Sequence, residues 1–229
     1  MKPIALRWLA GRTHKGAVSW GMPWPKGVVK PGTAFTLENE NGGHFVVQTR
    51  CRAYWPDGSV KWTLHSAIAS GEIFFLKEAG MERVMPRECR DDKIRFGEME
   101  LDFSEKTGVP RIRYGRETRG GRLIARISGE EYVGYQESIE IEDMGAVRMV
   151  IKITGAHLGP NGQRVLPFIL RYYVYQGDPQ IRLVHTWLHD LDPFTQQVDA
   201  LGIEFRTPIQ GPIYNRHVRI AGDTGYLKE

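Results

Sequence analysis

The sequence predicts an all-β protein, because three features of its pattern agree. Apolar and polar residues alternate with a period of two along most of the chain, as in strands with one buried face. No stretch of about ten or more residues has apolar side chains at i, i+3, i+4 and i+7, the spacing of an amphipathic helix. Glycine, proline and asparagine fall between the alternating segments, where tight turns need them.

The first part of the chain predicts a small barrel or sandwich, because it contains closely spaced short strands. The predicted strands cover residues 4–9, 17–20, 33–38, 45–54, 60–70 and 72–77. Two turns separate neighbouring strands: Asn41-Gly42-Gly43 and Pro56-Asp57-Gly58. Glycine accepts a positive φ there, and proline presets the first position of a turn.

Residues 78–92 break the pattern with Gly80, Pro86 and a cluster of charges, so we place a domain boundary there. The sequence therefore predicts a first domain at residues 1–88 and a second at 89–229. Longer strands joined by hairpin signals such as Gln176-Gly177-Asp178-Pro179 favour an antiparallel β-sandwich in the second domain. Its predicted strands cover residues 93–96, 99–103, 111–114, 123–128, 137–142, 146–155, 168–176, 181–189 and 200–206. The chain stops soon after the last strand, so we expect the sandwich to be incomplete.

Composition excludes several classes of protein. The 229 residues are 41% hydrophobic and 25% charged, which is typical of folded globular proteins. The net charge of +4 is dispersed and no nucleic-acid motif occurs, so no nucleic-acid partner is predicted. Apolar runs are too short to span a bilayer, and no membrane partner is predicted. No signal peptide is visible, so we expect a protein that stays inside the cell or a chain that begins after its signal.

Metal and disulfide chemistry have little support in the sequence. Cys51 and Cys89 lie in neither a Cys-x-x-Cys pair nor a Cys/His cluster, so we interpret both as buried thiols. Calcium needs about six to eight oxygen ligands, and Asp190, Asp192 and Asp199 supply too few in one segment. No cofactor or metal site is therefore predicted, although calcium stays an open alternative. Asp-Pro pairs such as Asp192-Pro193 are interpreted as turns.

Aromatic residues are concentrated near the amino terminus, where five of the six tryptophans precede residue 63. Trp24 and Trp55 adjoin Pro- and Gly-containing turns, which can hold rigid rings at the lip of a groove. We interpret them as exposed platforms for a ligand, whereas Trp62 shares an alternating face with Val60 and Leu64 and is predicted to lie in the core. The alternative is that the Trp-Pro motifs close the barrel core or fasten one domain to the next.

Polar neighbours of these rings complete the predicted binding set. Tyr54 adjoins Trp55, and Arg52, Lys61 and Lys26 could meet carboxylate groups on an acidic ligand.

Two groups of motifs carry a resemblance to a known family. The first group resembles the amino-terminal RIFT-like barrel of the exo-rhamnogalacturonan lyase family, which is similar to polysaccharide lyase family 26. It consists of Arg7-Trp8, Gly21-Met-Pro-Trp-Pro-Lys-Gly27, Lys30-Pro31-Gly32 and Tyr54-Trp-Pro-Asp-Gly-Ser-Val-Lys-Trp62. The second group is similar to the central β-sandwich of that family and is less specific. It comprises Pro167, Tyr172, Tyr173, Gly177, Asp178, His185, Thr186, Asp192 and Leu201-Gly-Ile-Glu-Phe205.

The resemblance implies a partner domain and a substrate. Members of the family are longer, and a helical toroid follows the sandwich; the lyase site lies in the cleft between the two. No helical segment of that kind occurs in this sequence, so we expect the chain alone to be inactive. The implied ligand is an acidic polysaccharide or oligosaccharide, namely pectin-derived rhamnogalacturonan.

Cleavage of a uronate by β-elimination needs a group that removes the C5 proton, a cation that stabilises the enolate and a proton donor to O4. His185, Tyr173 and Arg171 are the candidate catalytic residues, because the segments 168–176 and 181–189 are predicted as neighbouring strands. A strand alternates its side chains, so His185 shares a face with Leu183, and Arg182 faces the other way. A histidine that serves only as a hydrogen-bonded core residue is the alternative.

The sequence thus leads to one main hypothesis and several alternatives. The main hypothesis is the amino-terminal portion of a rhamnogalacturonan lyase. The alternatives are a noncatalytic carbohydrate-binding module, a structural role in which the Trp-Pro motifs seal domain interfaces, and a glycosidase, which would need two carboxylates across a cleft.

Overall fold

The computed structural model describes residues 2–8, 14–79, 88–90, 92–206, 211–216, 221–222 and 225–226. These residues form β-strands and one short 3₁₀ turn at Ile213–Asn215, and none of them lies in an α-helix. The predicted all-β class is therefore confirmed. The strands assemble into a six-stranded sheet, a ten-stranded sheet and a two-stranded hairpin.

The six-stranded sheet comprises the first part of the chain. Its strands are β1 (Ile4–Arg7), β2 (His14–Pro23), β3 (Ala34–Asn39), β4 (His44–Tyr54), β5 (Val60–Gly71) and β6 (Ile73–Ala79). They pair antiparallel in the order β1-β6-β3-β4-β5-β2. All six predicted strands are present, and the two predicted turns carry positive φ at Gly42 (78°) and Gly58 (81°). Only glycine adopts these values without strain, so these residues fix the turns.

The sheet curls around one core, because side chains from both of its end strands contact the same cluster. Leu6 on β1 and Val18 on β2 pack against it, although β1 is the first and β2 the last strand in the sheet order. The buried members of the cluster are Trp24, Val29, Phe35, Leu37, Val47, Val60, Ala67, Ala69, Phe74 and Leu76. This curled sheet is the RIFT-like barrel that the resemblance implies.

A neutral histidine lies at the centre of the barrel. The His65 ring is fully buried, and its nitrogens hydrogen-bond to the Thr49 hydroxyl at 3.0 Å and the Thr63 hydroxyl at 2.7 Å. Its ring stacks on Trp20 with a centroid distance of 5.3 Å and meets Phe35 edge-on. Burial lowers the pKa of His65 to about 4, because the charged form would lose its hydration.

The ten-stranded sheet comprises most of the second part. Its strands are β7 (Glu88–Arg90), β8 (Lys93–Phe96), β9 (Met99–Asp102), β10 (Arg111–Tyr114), β11 (Glu117–Ile127), β12 (Glu130–Met144), β13 (Arg148–Leu158), β14 (Arg164–Tyr175), β15 (Ile181–Trp187) and β16 (Val198–Arg206). The strand order is β15-β14-β13-β12-β11-β10-β9-β8-β7, and β16 also pairs with β11. Strand β11 therefore has three partners, and the sheet turns back on itself there.

The two halves of this sheet enclose one core, which makes the second part a sandwich. Phe96 and Leu101 from β8 and β9 belong to the same buried cluster as Ile151 from β13 and Leu170 from β14. Because buried residues alternate with more exposed ones along β8 and most of β14, one face of each of these two strands is buried. The buried Tyr172 hydroxyl donates a hydrogen bond to the Gly108 carbonyl oxygen at 2.7 Å, so this polar group has its partner inside the core.

The structure adds short strands that the sequence did not predict. Strand β7 lies in the predicted boundary region, and β17 (Ala221–Gly222) pairs with β18 (Gly225–Tyr226) beyond the last predicted strand. Strands of two or three residues are too short for an alternating pattern to show. Residues 80–87 and 91 of the boundary region lie outside the described residues, and the division at 88/89 stays a prediction.

The barrel and the sandwich meet at a buried charged pair. Arg148 at the start of β13 donates to the Asp143 carboxylate at 2.6 Å, and both side chains are about 95% buried. Arg50 from the barrel donates to the other oxygen of Asp143 at 2.5 Å. The single carboxylate therefore faces two guanidinium groups, one from each sheet, and satisfies the buried charge of Arg148.

Gln48 and Ser19 complete this junction from the barrel side. The Gln48 side-chain oxygen accepts hydrogen bonds from the backbone N–H groups of Val147, at 3.0 Å, and Arg148, at 2.6 Å. A Cβ at Gly145 would lie 2.3 Å from the Gln48 amide carbon, so glycine is required for this approach. The Ser19 hydroxyl accepts from Arg148 at 3.1 Å. The two sheets are thus joined by polar contacts with specific geometry.

Removal of the charge on Asp143 should destabilise the protein strongly. Asp143→Asn leaves the buried Arg148 guanidinium without a counter-charge, and we expect a loss of about 3–5 kcal/mol in the free energy of unfolding. The matched control is Glu105→Gln at the exposed Arg111–Glu105 pair, which should cost about 0–1 kcal/mol. Urea unfolding of the three proteins measures both values. Equal costs for the two variants would contradict the role of the junction pair.

The buried His65 should make stability depend on pH in a defined direction. Its pKa is about 4 in the folded state, against 6.5 as its ordinary value. The unfolded state therefore binds more protons between these values, and stability is lost as the pH falls from about 6.5 to 4. We expect His65 to contribute up to about 3 kcal/mol to this loss. Urea unfolding at several pH values should show a shallower decline for His65→Gln, and identical slopes for the two proteins would refute this.

Candidate functional site

The outer face of β13, β14 and β15 carries polar and aromatic side chains, because the alternate residues of these strands face the sandwich core. On β14, Tyr172 is buried in that core, whereas Arg171 and Tyr173 point to the other side. The register pairs Tyr173 with Arg182 on β15, so these two side chains share the outer face. We call the surface formed by Arg148, Arg171, Tyr173, Tyr175 and Arg182 the junction face, because the barrel contacts its edge.

Tyr173 lies between two guanidinium groups. The centre of the Arg148 guanidinium is 5.9 Å from the centroid of the Tyr173 ring, and that of Arg182 is 5.6 Å away. Both distances are within the range of a cation–π contact. Arg148 is fixed by the junction pair with Asp143, so one of the two cations beside Tyr173 has a position determined by the domain junction.

Arg171 is engaged in a bidentate ion pair on the same face. Its Nε and Nη2 atoms donate to the two oxygens of Glu142 at 2.7 and 2.9 Å. The pair raises the pKa of Arg171 and lowers the pKa of Glu142. Lys152, and then Arg52 from the barrel, lower the pKa of Glu142 further. Arg52 therefore extends the positive charge of the junction face onto β4.

Two cations of this surface have no carboxylate partner within the part of the chain that the structure describes. Arg182 lies over the ring of Tyr173, and neither Arg182 nor Arg52 forms an ion pair there, although Arg52 acts on Glu142 through its charge. Both side chains belong to exposed residues. Because an unpaired, exposed guanidinium can accept a carboxylate without first releasing another, these two positions suit an anionic ligand.

The predicted catalytic set is divided between two faces. His185 pairs with Leu170, so its ring lies on the core side of the sheet, away from Arg171 and Tyr173. It meets Phe168 edge-on at 6.3 Å, and its Nε2 atom is buried without a hydrogen-bond partner in the described structure. Burial, and then the nearby His157, lower the pKa of His185. The three residues therefore cannot contact one sugar together, and Tyr173 and Arg171 are the pair that share a surface.

The prediction that Trp24 is an exposed platform is wrong. Trp24 is only 3% exposed, its ring stacks on Phe35 at 5.3 Å, and its Nε1 donates to the Thr63 hydroxyl at 2.8 Å. The interior positions of β5 hold the small or polar residues Thr63, Ala67 and Ala69, so a large ring is needed to fill the barrel.

Trp62 is the opposite case, since it was predicted to lie in the core and is 42% exposed. It alternates with the inward-facing Thr63 and lies on the outer face of β5 with Leu64. The period of two predicts the two faces of β5 correctly, but the more apolar face is the outer one. The register of β4 and β5 also shifts at this end, which separates Trp62 from the buried Val60.

The remaining predicted binding residues lie at the β4–β5 turn. Trp55 is half-buried, and its Nε1 donates to the Trp24 carbonyl oxygen at 3.0 Å. The Lys61 ammonium lies 4.7 Å from the centroid of the Trp55 ring, in a cation–π contact. Tyr54 is 56% exposed. At this turn, the Trp55 ring is held by a hydrogen bond to the backbone, whereas the Tyr54 ring is open to solvent.

The aspartates considered for calcium serve as hydrogen-bond acceptors in loops. Asp190 accepts from the Leu166 backbone N–H at 2.7 Å, and Asp199 accepts from Gly129 N–H at 2.7 Å. Asp192 accepts from Phe194 N–H and the Thr195 hydroxyl, which confirms the predicted turn at Asp192-Pro193. Among the described residues, no three or more His, Cys, Asp or Glu side chains are grouped to hold a metal ion.

Cys51 is only half-buried, and its thiol lies 3.4 Å from the Ala53 carbonyl oxygen. The side chain of Cys89 lies outside the described residues. Where the chain is described, no helix is long and apolar enough to cross a membrane.

Comparisons with known proteins agree with this architecture. Residues 2–77 match the model of the PcRGLX-like N-terminal RIFT barrel domain, and residues 112–229 match that of the PcRGLX-like protein central β-sandwich domain. A relative from Bacillus subtilis (strain 168), described as uncharacterized protein YetA, is 35% identical over 255 residues. The match covers 98% of this chain and 29% of the relative, so the chain spans less than a third of that protein's length.

Trp24 is buried and Trp62 is partly exposed, and this difference leads to a stability prediction. Trp24→Ala removes a buried ring and a hydrogen bond, and we expect it to cost about 3–5 kcal/mol in the free energy of unfolding. The matched control Trp62→Ala removes a partly exposed ring and should cost about 1 kcal/mol, near the average of point mutants. Urea unfolding of both variants measures the difference. A larger cost for Trp62→Ala would contradict the burial described here.

Proposed function

Because this chain belongs to the PcRGLX-like family, the exo-rhamnogalacturonan lyases, we propose that it supplies the barrel and sandwich of an enzyme that cleaves pectin-derived rhamnogalacturonan by β-elimination. The proposal concerns the whole protein, since the chain spans 29% of its relative. The part contributed by this chain is a surface that binds the acidic saccharide.

One observation carries the proposal: Tyr173 is flanked by the cations Arg148 and Arg182 on an accessible face. A uronate brings a carboxylate, and removal of its C5 proton develops further negative charge on the same group. Cations that are already held in position stabilise that charge without the cost of reorganisation. Arg182 has no carboxylate partner in the described structure, so it is the residue that we propose to bind the uronate.

We therefore propose Tyr173, rather than His185, as the group that transfers the proton. Its hydroxyl-bearing ring shares a face with Arg182, whereas His185 lies on the core side of the same sheet. A tyrosine hydroxyl can act as a general acid or base toward O4 or C5 of the sugar. Arg171 is held by Glu142, so we assign it the role of shaping the surface rather than receiving the first carboxylate.

Arg148 is proposed as a positioning residue. It contacts the Tyr173 ring, the Asp143 carboxylate and the Ser19 hydroxyl, so its guanidinium plane is restrained from three directions. Such restraint is what a catalytic or binding residue needs from its neighbours.

The test is a lyase assay on rhamnogalacturonan with the full-length gene product. We expect ultraviolet absorbance from unsaturated uronate together with shortened products. Tyr173→Phe should lower kcat/KM by about 10²–10⁴-fold, because it removes a proton-transfer group. The matched control is Tyr135→Phe, which removes the hydroxyl of a tyrosine that is 44% exposed on β12 and should leave the rate unchanged.

Two outcomes would count against the proposal. Absence of both absorbance and shortened products would refute lyase activity. If the protein nevertheless binds the polysaccharide, the noncatalytic carbohydrate-binding module becomes the better account, because the junction face lies within this chain. Equal rates for Tyr173→Phe and the wild type would refute the assigned role of Tyr173 alone.

A further inference from the structure

We propose that Trp62, resting on Gly21, is a stacking platform for one sugar ring of an acidic saccharide, and that it continues the junction face onto the barrel. The inference rests on the proposed function and specifies a binding position that neither the motifs nor the catalytic chemistry assigned. Its basis is the geometry of the ring, its continuity with the junction face, and the charge around it.

The Trp62 ring occupies the space that a side chain at Gly21 would fill. A Cβ built on Gly21 would lie 2.7 Å from Cζ2 of Trp62 and 3.0 Å from both Cε2 and Nε1. Cζ2, Cε2 and Nε1 are consecutive atoms on one edge of the indole, so this edge of the ring lies against Gly21. Since 42% of Trp62 is still exposed, part of the ring is open to solvent.

Gly21 and Ser19 place the ring on the same side of the barrel as the junction face. They are two residues apart on β2, so the Gly21 Cβ direction and the Ser19 side chain point the same way, about 7 Å apart. The Ser19 hydroxyl contacts the Arg148 guanidinium at 3.1 Å and the Tyr175 hydroxyl at 2.9 Å. A ligand chain that crosses Ser19 would therefore meet Trp62 at one end and the tyrosines and arginines of β14 and β15 at the other.

The charge of this surface indicates which saccharides it suits. The C–H groups of a pyranose carry partial positive charge and pack on the electron-rich face of an indole. Arg52 on the barrel and Arg182 on the sandwich have no carboxylate partner in the described chain. An oligosaccharide that alternates neutral rings with uronates would satisfy the platform and these cations together, whereas a neutral oligosaccharide would leave the cations unused.

The test is calorimetric titration of the 229-residue chain with a rhamnogalacturonan oligosaccharide. Trp62→Ala should bind roughly tenfold more weakly, because it removes the apolar contact. Gly21→Ala should also weaken binding. The added Cβ would displace the Trp62 ring from its position, although the tryptophan itself is still present. This second variant keeps the test valid if Trp62→Ala fails to fold. The matched control is Trp187→Ala, which removes a tryptophan of similar exposure, 39%, on the edge strand β15 and should bind as the wild type does.

The outcomes separate the platform from the proposed function. Binding by the wild type with a tenfold loss in Trp62→Ala supports the platform. Equal affinities for the wild type, Trp62→Ala and Gly21→Ala overturn the platform and leave the proposed function standing. Absence of saccharide binding by the wild type overturns the platform and the saccharide-binding surface proposed for this chain, while the lyase assay tests the activity separately. An equal loss in Trp187→Ala overturns the platform by showing that any exposed tryptophan has the same effect.

Discussion

The buried ion pair between Arg148 and Asp143 holds together the junction between the barrel and the sandwich. A charge removed from water needs a counter-charge and hydrogen-bond acceptors, or folding would leave it uncompensated. Asp143 supplies the counter-charge from the same sheet, and Ser19 supplies an acceptor from the barrel. Gln48 accepts the backbone N–H of Arg148 itself. The Nη1 atom and the backbone N–H of Arg148 therefore have acceptors only when the barrel and the sandwich are in contact, and these two hydrogen bonds help to define how the two sheets meet.

The same arginine connects the junction to the candidate site. Arg148 lies beside Tyr173, and Tyr173 lies beside Arg182. The nearly inaccessible Arg148 therefore helps to position the more accessible Tyr173 and Arg182. In the proposed binding surface the barrel contributes Arg52 and Trp62, and it contacts Arg148 through Ser19 and Gln48. The family match motivates the proposal that this surface binds an acidic saccharide.

Most of the fold could be predicted from the sequence, but the orientation of the faces could not. Alternation and turn residues located every strand of five or more residues, because these signals are local. The inner face of β5 was misjudged because it holds Thr63, His65 and alanines, which are less apolar than the outer Trp62 and Leu64. The inner face of β5 is less apolar than the outer face, because aromatic rings from other segments, such as Trp24 and Phe35, fill the centre of the barrel. Tyr173 was identified through the family resemblance, whereas its contacts with Arg148 and Arg182 depend on cross-strand register and on the junction.

We propose that the barrel and the sandwich form one saccharide-binding surface. A crystal structure of the protein with a bound rhamnogalacturonan oligosaccharide would test this proposal, because it locates each sugar ring relative to both sheets. We expect one ligand chain that contacts both domains, with a sugar ring on Trp62 and a uronate carboxylate on Arg182 or Arg52. A ligand bound to the sandwich alone, with Trp62 and Arg52 free, would contradict it.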